Sequence, residues 1–152
     1  MEQKKKIIEV IKIIGSKLNG KKVKWLIGGS GSLLVHGLDV VPNDIDVVVD
    51  PENYNEVKTI FKDILVNGIK TDGSTMKIPF KVNDIKGDLQ AYSIDNNLLT
   101  KVNIDGVIIF VHKLQVEYNF YKARTDKIDF NKKRVELIEK ALLIKSKTKH
   151  FN

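Results

Sequence analysis

The chain has 152 residues, of which 42% are hydrophobic and 30% are charged, and its formal net charge is +7. This length and composition are typical of one globular domain and exclude a disordered or fibrous protein. Because the sequence contains no cysteine, it also excludes a disulfide framework, a thiolate zinc site and a cysteine nucleophile.

In the first half of the chain, helix patterns alternate with strand patterns. They predict, in order, a helix over Glu2–Leu18, a strand over Val23–Ile27, a short helix over Ser30–His36, a strand over Asp44–Val49, and a helix opened by Asp50-Pro51-Glu52 and ended by Asn67-Gly68. The valine run that ends the second strand predicts a central strand that is buried on both faces.

Hairpins dominate the pattern after the third helix. Four strands are predicted, followed by two helices: Met76–Val82, Asp88–Ile94, Leu98–Ile104, Val107–His112, Leu114–Ala123 and Asp129–Ile144. The first two strands are joined by a turn over residues 83–87, and the next two by Asp105-Gly106, a strong hairpin signal. Lys145–Asn152 is predicted to be a frayed basic tail.

These patterns describe a single domain spanning residues 1–152. It comprises an α/β core (1–112), C-terminal helices (113–146) and a tail (147–152). The predicted fold class is α/β, or α+β, with a mixed, partly antiparallel sheet flanked by helices. No apolar run approaches the ~18 residues of a membrane span, so we expect a cytoplasmic protein with no membrane partner.

The most informative segment runs from a glycine cluster, Gly28-Gly29-Ser30-Gly31-Ser32, to the pair Asp44 and Asp46. Residues i and i+2 of a strand project from the same face, so both carboxylates point one way and repel unless a cation lies between them. A glycine-rich turn before a helix offers backbone N–H groups to phosphate. This segment therefore predicts metal and phosphate chemistry.

Other glycine and aspartate motifs fit this segment less well. The cluster lacks the third glycine of a dinucleotide fingerprint, because position 34 is Leu, and no Gly-Lys-Ser/Thr of a P-loop follows it. The Asp44 segment is not a calcium loop, because position 49 is Val where glycine is required. A tight turn before a helix, with no ligand, stays the plain structural alternative.

The order of these pieces resembles the nucleotidyltransferase superfamily with the DNA polymerase beta-like fold, and most of all its minimal, stand-alone prokaryotic members. Three segments carry the resemblance: Trp25-Leu26-Ile27-Gly28-Gly29-Ser30, His36-Gly37 and Asn43-Asp44-Ile45-Asp46-Val47-Val48-Val49. The resemblance implies an enzyme that moves a nucleoside monophosphate from an NTP to a hydroxyl group and releases pyrophosphate. It also implies Mg²⁺, two ions held by Asp44 and Asp46, with Mn²⁺ as an alternative.

A third carboxylate normally completes such sites, and Asp84, Asp88, Asp95 and Asp105 are the candidates. Three of them lie in turn-forming sequences, where aspartate often hydrogen-bonds its own backbone. Asp88 begins a predicted strand with Gln90 and Tyr92 on the same face, so we predict it as the third catalytic and metal-binding acid.

The glycine cluster, Gly28, Gly29, Ser30, Gly31 and Ser32, is predicted to cradle the triphosphate. Arg124 and Lys127 are candidates for phosphate binding, although surface cations of this kind are usually solvated. His36 is expected to be structural, either hydrogen-bonding a carbonyl group or packing beneath the turn. The aromatic residues Tyr118, Phe120 and Tyr121 could stack on a base, but Phe120 also fits an apolar stripe with Val116 and Ala123, so core packing is the default.

Two further functions stay open. One is a catalytically silent module with the same scaffold that binds RNA or a partner protein through its basic surface, since the net charge favours polyanions, although lysines also serve solubility. The other is a sugar-nucleotide transferase that binds metal through Asp-x-Asp.

For a nucleotidyltransferase, the acceptor implied by the resemblance is RNA such as tRNA, a protein or a small molecule. The resemblance also includes members of toxin-antitoxin or defence pairs, in which a partner protein regulates the enzyme.

Overall fold

The computed structural model describes residues 2–66, 77–124 and 129–150. Its elements are α1 (Glu2–Leu18), β1 (Trp25–Gly28), α2 (Gly29–Val35), β2 (Ile45–Val49), a 3-10 turn (Pro51–Asn53), α3 (Tyr54–Ile60), β3 (Lys77–Val82), β4 (Ile85–Ala91), a second 3-10 turn (Asn96–Leu98), β5 (Leu99–Ile104), β6 (Val107–His112), α4 (Leu114–Lys122) and α5 (Asp129–His150). None of the helices in these ranges has the length and apolar character needed to cross a membrane.

The main sheet has four strands in the order β1-β2-β4-β3. β2 is antiparallel to β1 and parallel to β4, and β3 is antiparallel to β4. β5 and β6 form a separate antiparallel pair. The predicted mixed sheet, the two hairpins and the interior position of β2 are therefore confirmed.

The two faces of the main sheet differ in burial. On β2, Ile45, Val47 and Val49 are fully buried on one face, where they pack with α1 and α3 in the larger core cluster. Asp46 and Val48 alternate with them on the opposite face, which we call the open face, and both are partly exposed. The prediction that the valine run of β2 is buried on both faces is wrong for Val48, because the open face is one wall of a cleft.

A smaller apolar cluster attaches the C-terminal helices to α2. Its buried members are Leu33, Leu38, Val40, Leu114, Tyr121, Val135 and Ile138. This packing places α4 beside the start of α2, where the predicted phosphate turn lies. The C-terminal helices therefore form part of the site's surroundings.

The hairpin between β3 and β4 is tighter than predicted. Its turn consists of Asn83 and Asp84, with φ values of 48° and 68°, a pair of positive angles that two-residue type I′ turns require. The predicted five-residue turn and the strand Asp88–Ile94 are wrong, because β4 begins at Ile85 and ends at Ala91. Asp88 consequently lies in the middle of a strand.

The third helix is shorter than predicted, because the chain after Ile60 joins the sheet edge. The backbone N–H of Val66 donates to the Pro79 carbonyl at 2.9 Å, and the N–H of Lys81 donates to the Ile64 carbonyl at 2.9 Å. These bonds to β3 compensate for the helical bonds that a longer α3 would make. The predicted stop at residues 67–68 lies outside the described residues.

The last helix is longer than predicted, because α5 continues to His150, whereas a frayed tail was expected from Lys145. The segment contains no proline or glycine, and lysine is a good helix former. A lysine-rich composition was therefore a poor reason to end the helix.

Gly87 on β4 gives a stability prediction. A Cβ at this position would lie 2.2 Å from Cζ of Phe80 and 2.5 Å from the Ile45 carbonyl oxygen. Phe80 is fully buried and the oxygen is backbone, so neither can move easily. Gly87→Ala should destabilise the fold by about 3 kcal/mol, which lowers Tm by roughly 6–12 °C.

Thermal unfolding of Gly87→Ala beside Lys86→Ala measures this effect. Lys86 is the exposed neighbour on the same strand, so its variant should stay within about 0.5 kcal/mol of the parent. Equal stability of the two variants would contradict the packing of Phe80 against β4.

Candidate functional site

Two acids from separate parts of the sequence lie side by side on the open face. Strand register pairs Gly28 with Asp46, Asp46 with Asp88, and Asp88 with Pro79. Neighbouring strands lie about 4.8 Å apart, so these four residues form one continuous row across the sheet. The structure thus brings the predicted acids Asp46 and Asp88 together beside the predicted phosphate turn.

Asp44 precedes β2 and is exposed. Together with Asp88 it lines a cavity of about 440 Å³ at the β3–β4 side of the row, and Lys81 and Lys86 line the same cavity. The negative charge of Asp44 also raises the pKa of Asp46. All three predicted acids therefore lie close enough to share the region between β2 and β4.

The electrostatics of this region are dominated by Asp46. Burial raises the pKa of Asp46 above its ordinary value, and the negative charge of Asp88 raises it further, while Lys77 opposes the shift. Gln90 Nε2 donates to Asp46 Oδ1 at 3.2 Å, and Lys77 Nζ lies 3.7 Å from Asp88 Oδ2. A partly buried carboxylate next to a second one is an unfavourable arrangement that a cation relieves.

The other candidates for the third acid lie elsewhere. Asp84 is in the β3–β4 turn, with a side chain that is 98% exposed. Asp95 accepts a hydrogen bond from the Asn97 N–H at 2.9 Å, and Asp105 pairs with Lys12 at 3.1 Å. Of the four candidates, Asp88 is the one in register with Asp46.

The glycine turn lies directly against Asp46. Gly28 ends β1 and precedes α2, and Gly29 has a φ of +56°. A Cβ on Gly29 would lie 2.7 Å from Asp46 Oδ2, so only glycine fits both the backbone angle and the close approach. Gly31 is buried, and a Cβ there would lie 2.9 Å from Ile27 Cγ2, so Gly31 allows α2 to pack on β1.

The two serines of the cluster differ. Ser30 is partly exposed at the turn. Ser32 is fully buried, and its hydroxyl donates to Oε1 of Glu117 at 3.1 Å. Ser32 therefore connects α2 to α4, and it does not lie with Gly28 and Gly29 along the cleft.

A second, larger cleft lies on the other side of Asp46, between the open face and α4. It has a volume of about 530 Å³, and its lining includes Gly28, Gly29, Asp46, His112 and Arg124. This volume is in the range of small-molecule sites. The row of acids consequently separates two cavities, one between the sheet and α4 and one beside the β3–β4 hairpin.

Several residues of the larger cleft were missed by sequence reasoning. They are Tyr92, His112 and Glu117. Glu117 is buried, and its Oε1 lies 3.6 Å from His112 Nδ1. His36 Nε2 lies 2.8 Å from the His112 carbonyl oxygen, which agrees with the structural role predicted for His36.

Phe120 is not a core residue, so the prediction for it is wrong. Its side chain is 50% exposed and lines the larger cleft, whereas Tyr121 is buried. Adjacent helical residues point about 100° apart, so only one of them can face the core. The buried face of α4 is Leu114, Glu117 and Tyr121, and the acidic residue in its middle concealed that pattern.

Arg124 stands at the α4 side of the larger cleft. Its guanidinium carbon lies 3.8 Å from the centre of the Phe120 ring, and its Nη1 donates to the Phe120 carbonyl at 3.1 Å. The structure thus brings Arg124 to the same cleft as Gly28, Gly29 and Asp46. Lys127 lies outside the described residues.

The carboxylates of Asp44, Asp46 and Asp88 do not converge on one metal position in this structure. Across residues 2–66, 77–124 and 129–150, no three His, Asp or Glu side chains are gathered in an arrangement that could hold a metal ion. The donor chemistry nevertheless suits Mg²⁺, which prefers carboxylate and phosphate oxygens and is usually bound by one or two carboxylates plus substrate phosphate.

Comparison with known proteins gives a consistent structural result. No protein-family model matches the chain, and none of the curated proteins matches it. A solved structure from Thermotoga maritima, assigned as a nucleotidyltransferase, superposes with a TM-score of 0.68 and 23% identity, covering 85% of this chain and 92% of its own.

Two proteins solved with antibiotic-derived ligands also superpose. ANT(2")-Ia, an antibiotic-resistance factor solved in complex with adenylyl-2"-tobramycin, gives a TM-score of 0.61 at 14% identity, covering 91% of this chain and 90% of its own. The lincosamide adenylyltransferase LnuA, solved with lincomycin, gives 0.61 at 14% identity, covering 88% of this chain and 95% of its own. The chain therefore has the nucleotidyltransferase fold, as the sequence resemblance predicts.

Proposed function

We propose that the protein is a nucleotidyltransferase that moves a nucleoside monophosphate from an NTP to a hydroxyl group of an acceptor and releases pyrophosphate. One observation carries the proposal: Asp46 and Asp88 lie in register on the open face, and the glycine turn touches Asp46. The lincosamide adenylyltransferase LnuA and the adenylyl-2"-tobramycin in the ANT(2")-Ia complex support the same class of reaction.

Asp44, Asp46 and Asp88 are the residues we propose to hold Mg²⁺, with Mn²⁺ as a substitute. The ion would neutralise charge on the phosphates during transfer. The raised pKa of Asp46, caused by burial and by the charges of Asp88 and Asp44, supports this role, because a cation removes that repulsion. The ammonium group of Lys77 lies 3.7 Å from Asp88 Oδ2, so the negative charge of the acids already attracts one cation.

The NTP is proposed to lie along the glycine turn, with its triphosphate against the backbone of Gly28, Gly29 and Ser30. Gly31 and Ser32 are buried and, unlike Gly28 and Gly29, do not line the larger cleft, so we assign them to shaping the turn. The nucleoside fits the larger cleft, where Phe120 offers an exposed aromatic ring. Arg124 is proposed to neutralise phosphate, and Lys127 follows it closely enough in the sequence to share this role.

In the transfer step, the acceptor oxygen forms a bond to the α-phosphorus of the NTP. The bond between that phosphorus and the oxygen bridging to the β-phosphate breaks, and pyrophosphate leaves with the electron pair. Asp88 is proposed to accept the proton of the acceptor hydroxyl, because it lies on the side of Asp46 away from the glycine turn. The protein contributes mainly position and charge.

The first prediction from the proposed function concerns the acids. Asp46→Asn and Asp88→Asn should each lower transfer of label from an α-labelled NTP by at least about 10²–10³-fold, because several kcal/mol of charge stabilisation is lost. Label incorporation into acceptors of a cell extract, with Mg²⁺ or Mn²⁺ present, measures the effect.

Asp84→Asn is the matched control for these variants. It removes the same charge from a turn residue whose side chain is 98% exposed. Asparagine tolerates the positive φ angle there, so the activity of this variant should equal that of the parent. Loss of label in this control as well, or transfer that survives Asp46→Asn, would refute the assigned acids. RNA or partner binding without any transfer would identify a silent module.

The second prediction uses the pKa of Asp46. A carboxyl group whose folded pKa is raised destabilises the fold above that pKa, and this cost disappears as the pH falls through it toward the unfolded value near 3.9. Asp46→Asn should therefore unfold at a higher Tm than the parent at pH 7 in EDTA, by about 1–3 °C. The difference should shrink as the pH is lowered toward 4.

Metal should stabilise the parent more than the Asp46→Asn variant. Adding Mg²⁺ or Mn²⁺ should raise the Tm of the parent more than that of Asp46→Asn, because only the parent keeps the full set of carboxylates. Scanning calorimetry with and without EDTA tests both parts, with Asp84→Asn again as the control. An Asp46→Asn variant that is less stable than the parent at pH 7 in EDTA would show that Asp46 is a structural residue.

A further inference from the structure

Three lysines share the open face with the acids. Lys77 and Lys81 are exposed residues of β3, and Lys86 is an exposed residue of β4, while the residues that alternate with them pack into the core. We call Lys77, Lys81 and Lys86 the lysine strip. Its two β3 side chains are 57% and 51% exposed, so they are accessible to a ligand.

The position of Lys81 and Lys86 is electrostatically unfavourable. The antiparallel register places them directly opposite one another, and like charges in that relation destabilise a strand pair. The ion pair of Lys81 with Asp84, at 3.8 Å, is exposed and offsets little of the repulsion. An anion lying between the two ammonium groups would turn this repulsion into attraction for both.

The lysine strip is too far from the glycine turn to bind the same triphosphate. The strand order places β3 three strands from β1, which is roughly 14 Å at about 4.8 Å per strand. This exceeds the two P–O–P links that separate the outer phosphates of an NTP. An anion bound by the strip would therefore be a different one, on the side of Asp88 away from the glycine turn.

The shape of the strip favours a chain of phosphates over a single one. Lys77 and Lys81 lie four residues apart on one strand, about 13 Å at 3.3 Å per residue. The cavity that Lys81 and Lys86 share with Asp44 and Asp88 holds about 440 Å³, enough for a terminal nucleotide. The net charge of +7 attracts polyanions over a longer range.

We infer that the acceptor is the end of a nucleic-acid strand, whose phosphates lie along the lysine strip and whose terminal hydroxyl reaches Asp88. This inference rests on the proposed nucleotidyltransferase activity and names its acceptor. The terminal hydroxyl oxygen bonds to the α-phosphorus of the NTP, Asp88 takes the hydroxyl proton, and pyrophosphate leaves, so the strand grows by one nucleotide.

The test compares the parent with the double variant Lys81→Gln/Lys86→Gln and with a control of equal charge, Lys5→Gln/Lys6→Gln. Lys5 and Lys6 are exposed on α1, which packs on the core face of the sheet. The probes are a 20-nucleotide single-stranded RNA and the DNA of the same sequence. Fluorescence anisotropy at several salt concentrations measures binding, and a labelled NTP with Mg²⁺ measures transfer.

For at least one probe, the strip variant should bind about 10–30-fold more weakly than the parent at 0.1 M salt. The slope of log K against log salt should fall by about 1.4, since each phosphate contact contributes about 0.7 for single strands. The KM for that strand should rise similarly, with the KM for the NTP unchanged. The control should behave like the parent.

Three results would overturn the inference while the proposed function stands. They are transfer of label to proteins or small molecules but to neither strand, equal loss of strand binding in the strip variant and the control, and a raised KM for the NTP in the strip variant. A protein that binds no NTP and transfers no label to any acceptor would instead overturn the proposed function. Binding of NTP to the parent, followed by its Tm, separates these cases.

Discussion

The parallel pairing of β2 with β4 is the constraint on which the candidate site depends. It places Asp46 directly beside Asp88, although the two residues lie far apart in the sequence. Burial and this like-charge neighbour raise the pKa of Asp46, so the fold holds an unfavourable pair in place. The apolar face of the same strands, with Ile45, Val47 and Leu89 fully buried, compensates for that cost through the hydrophobic effect.

The glycine turn is matched to this pair of acids. Gly29 combines a positive φ with an approach to Asp46 that leaves no space for a Cβ, so the backbone amides of the turn and the carboxylate share one small volume. Attraction of phosphate to the amides and of a cation to the carboxylates would reinforce each other, because each ligand neutralises the other. A site of this kind gains most when nucleotide and metal bind together.

Much of this arrangement was predictable from local sequence. The glycine cluster, the Asp44–Asp46 spacing and the Asp105-Gly106 hairpin are short-range signals, and the sheet contains the strands that they predict. The choice of Asp88 also depended on local sequence, although its predicted strand started three residues late. Long-range contacts decided the rest: Ile64 and Val66 pair with the edge of β3, which ends α3 early, and no helical periodicity carries that information.

The lining of the larger cleft also depends on long-range contacts that local sequence does not reveal. Glu117 is buried because Ser32 donates to it and His112 lies beside it, partners that come from α2 and β6 and are invisible to any pattern within α4. Because Glu117 faces inward, Phe120 faces outward, and the Arg124 guanidinium stacks on its ring. The buried contact of Glu117 and the apolar packing of Leu114 and Tyr121 together orient the helix. Phe120 consequently lines the larger cleft on one side of Asp46, while the lysines lie on the other side. The two sides of the acid row consequently differ in chemistry, which suits the two different substrates of the proposed reaction.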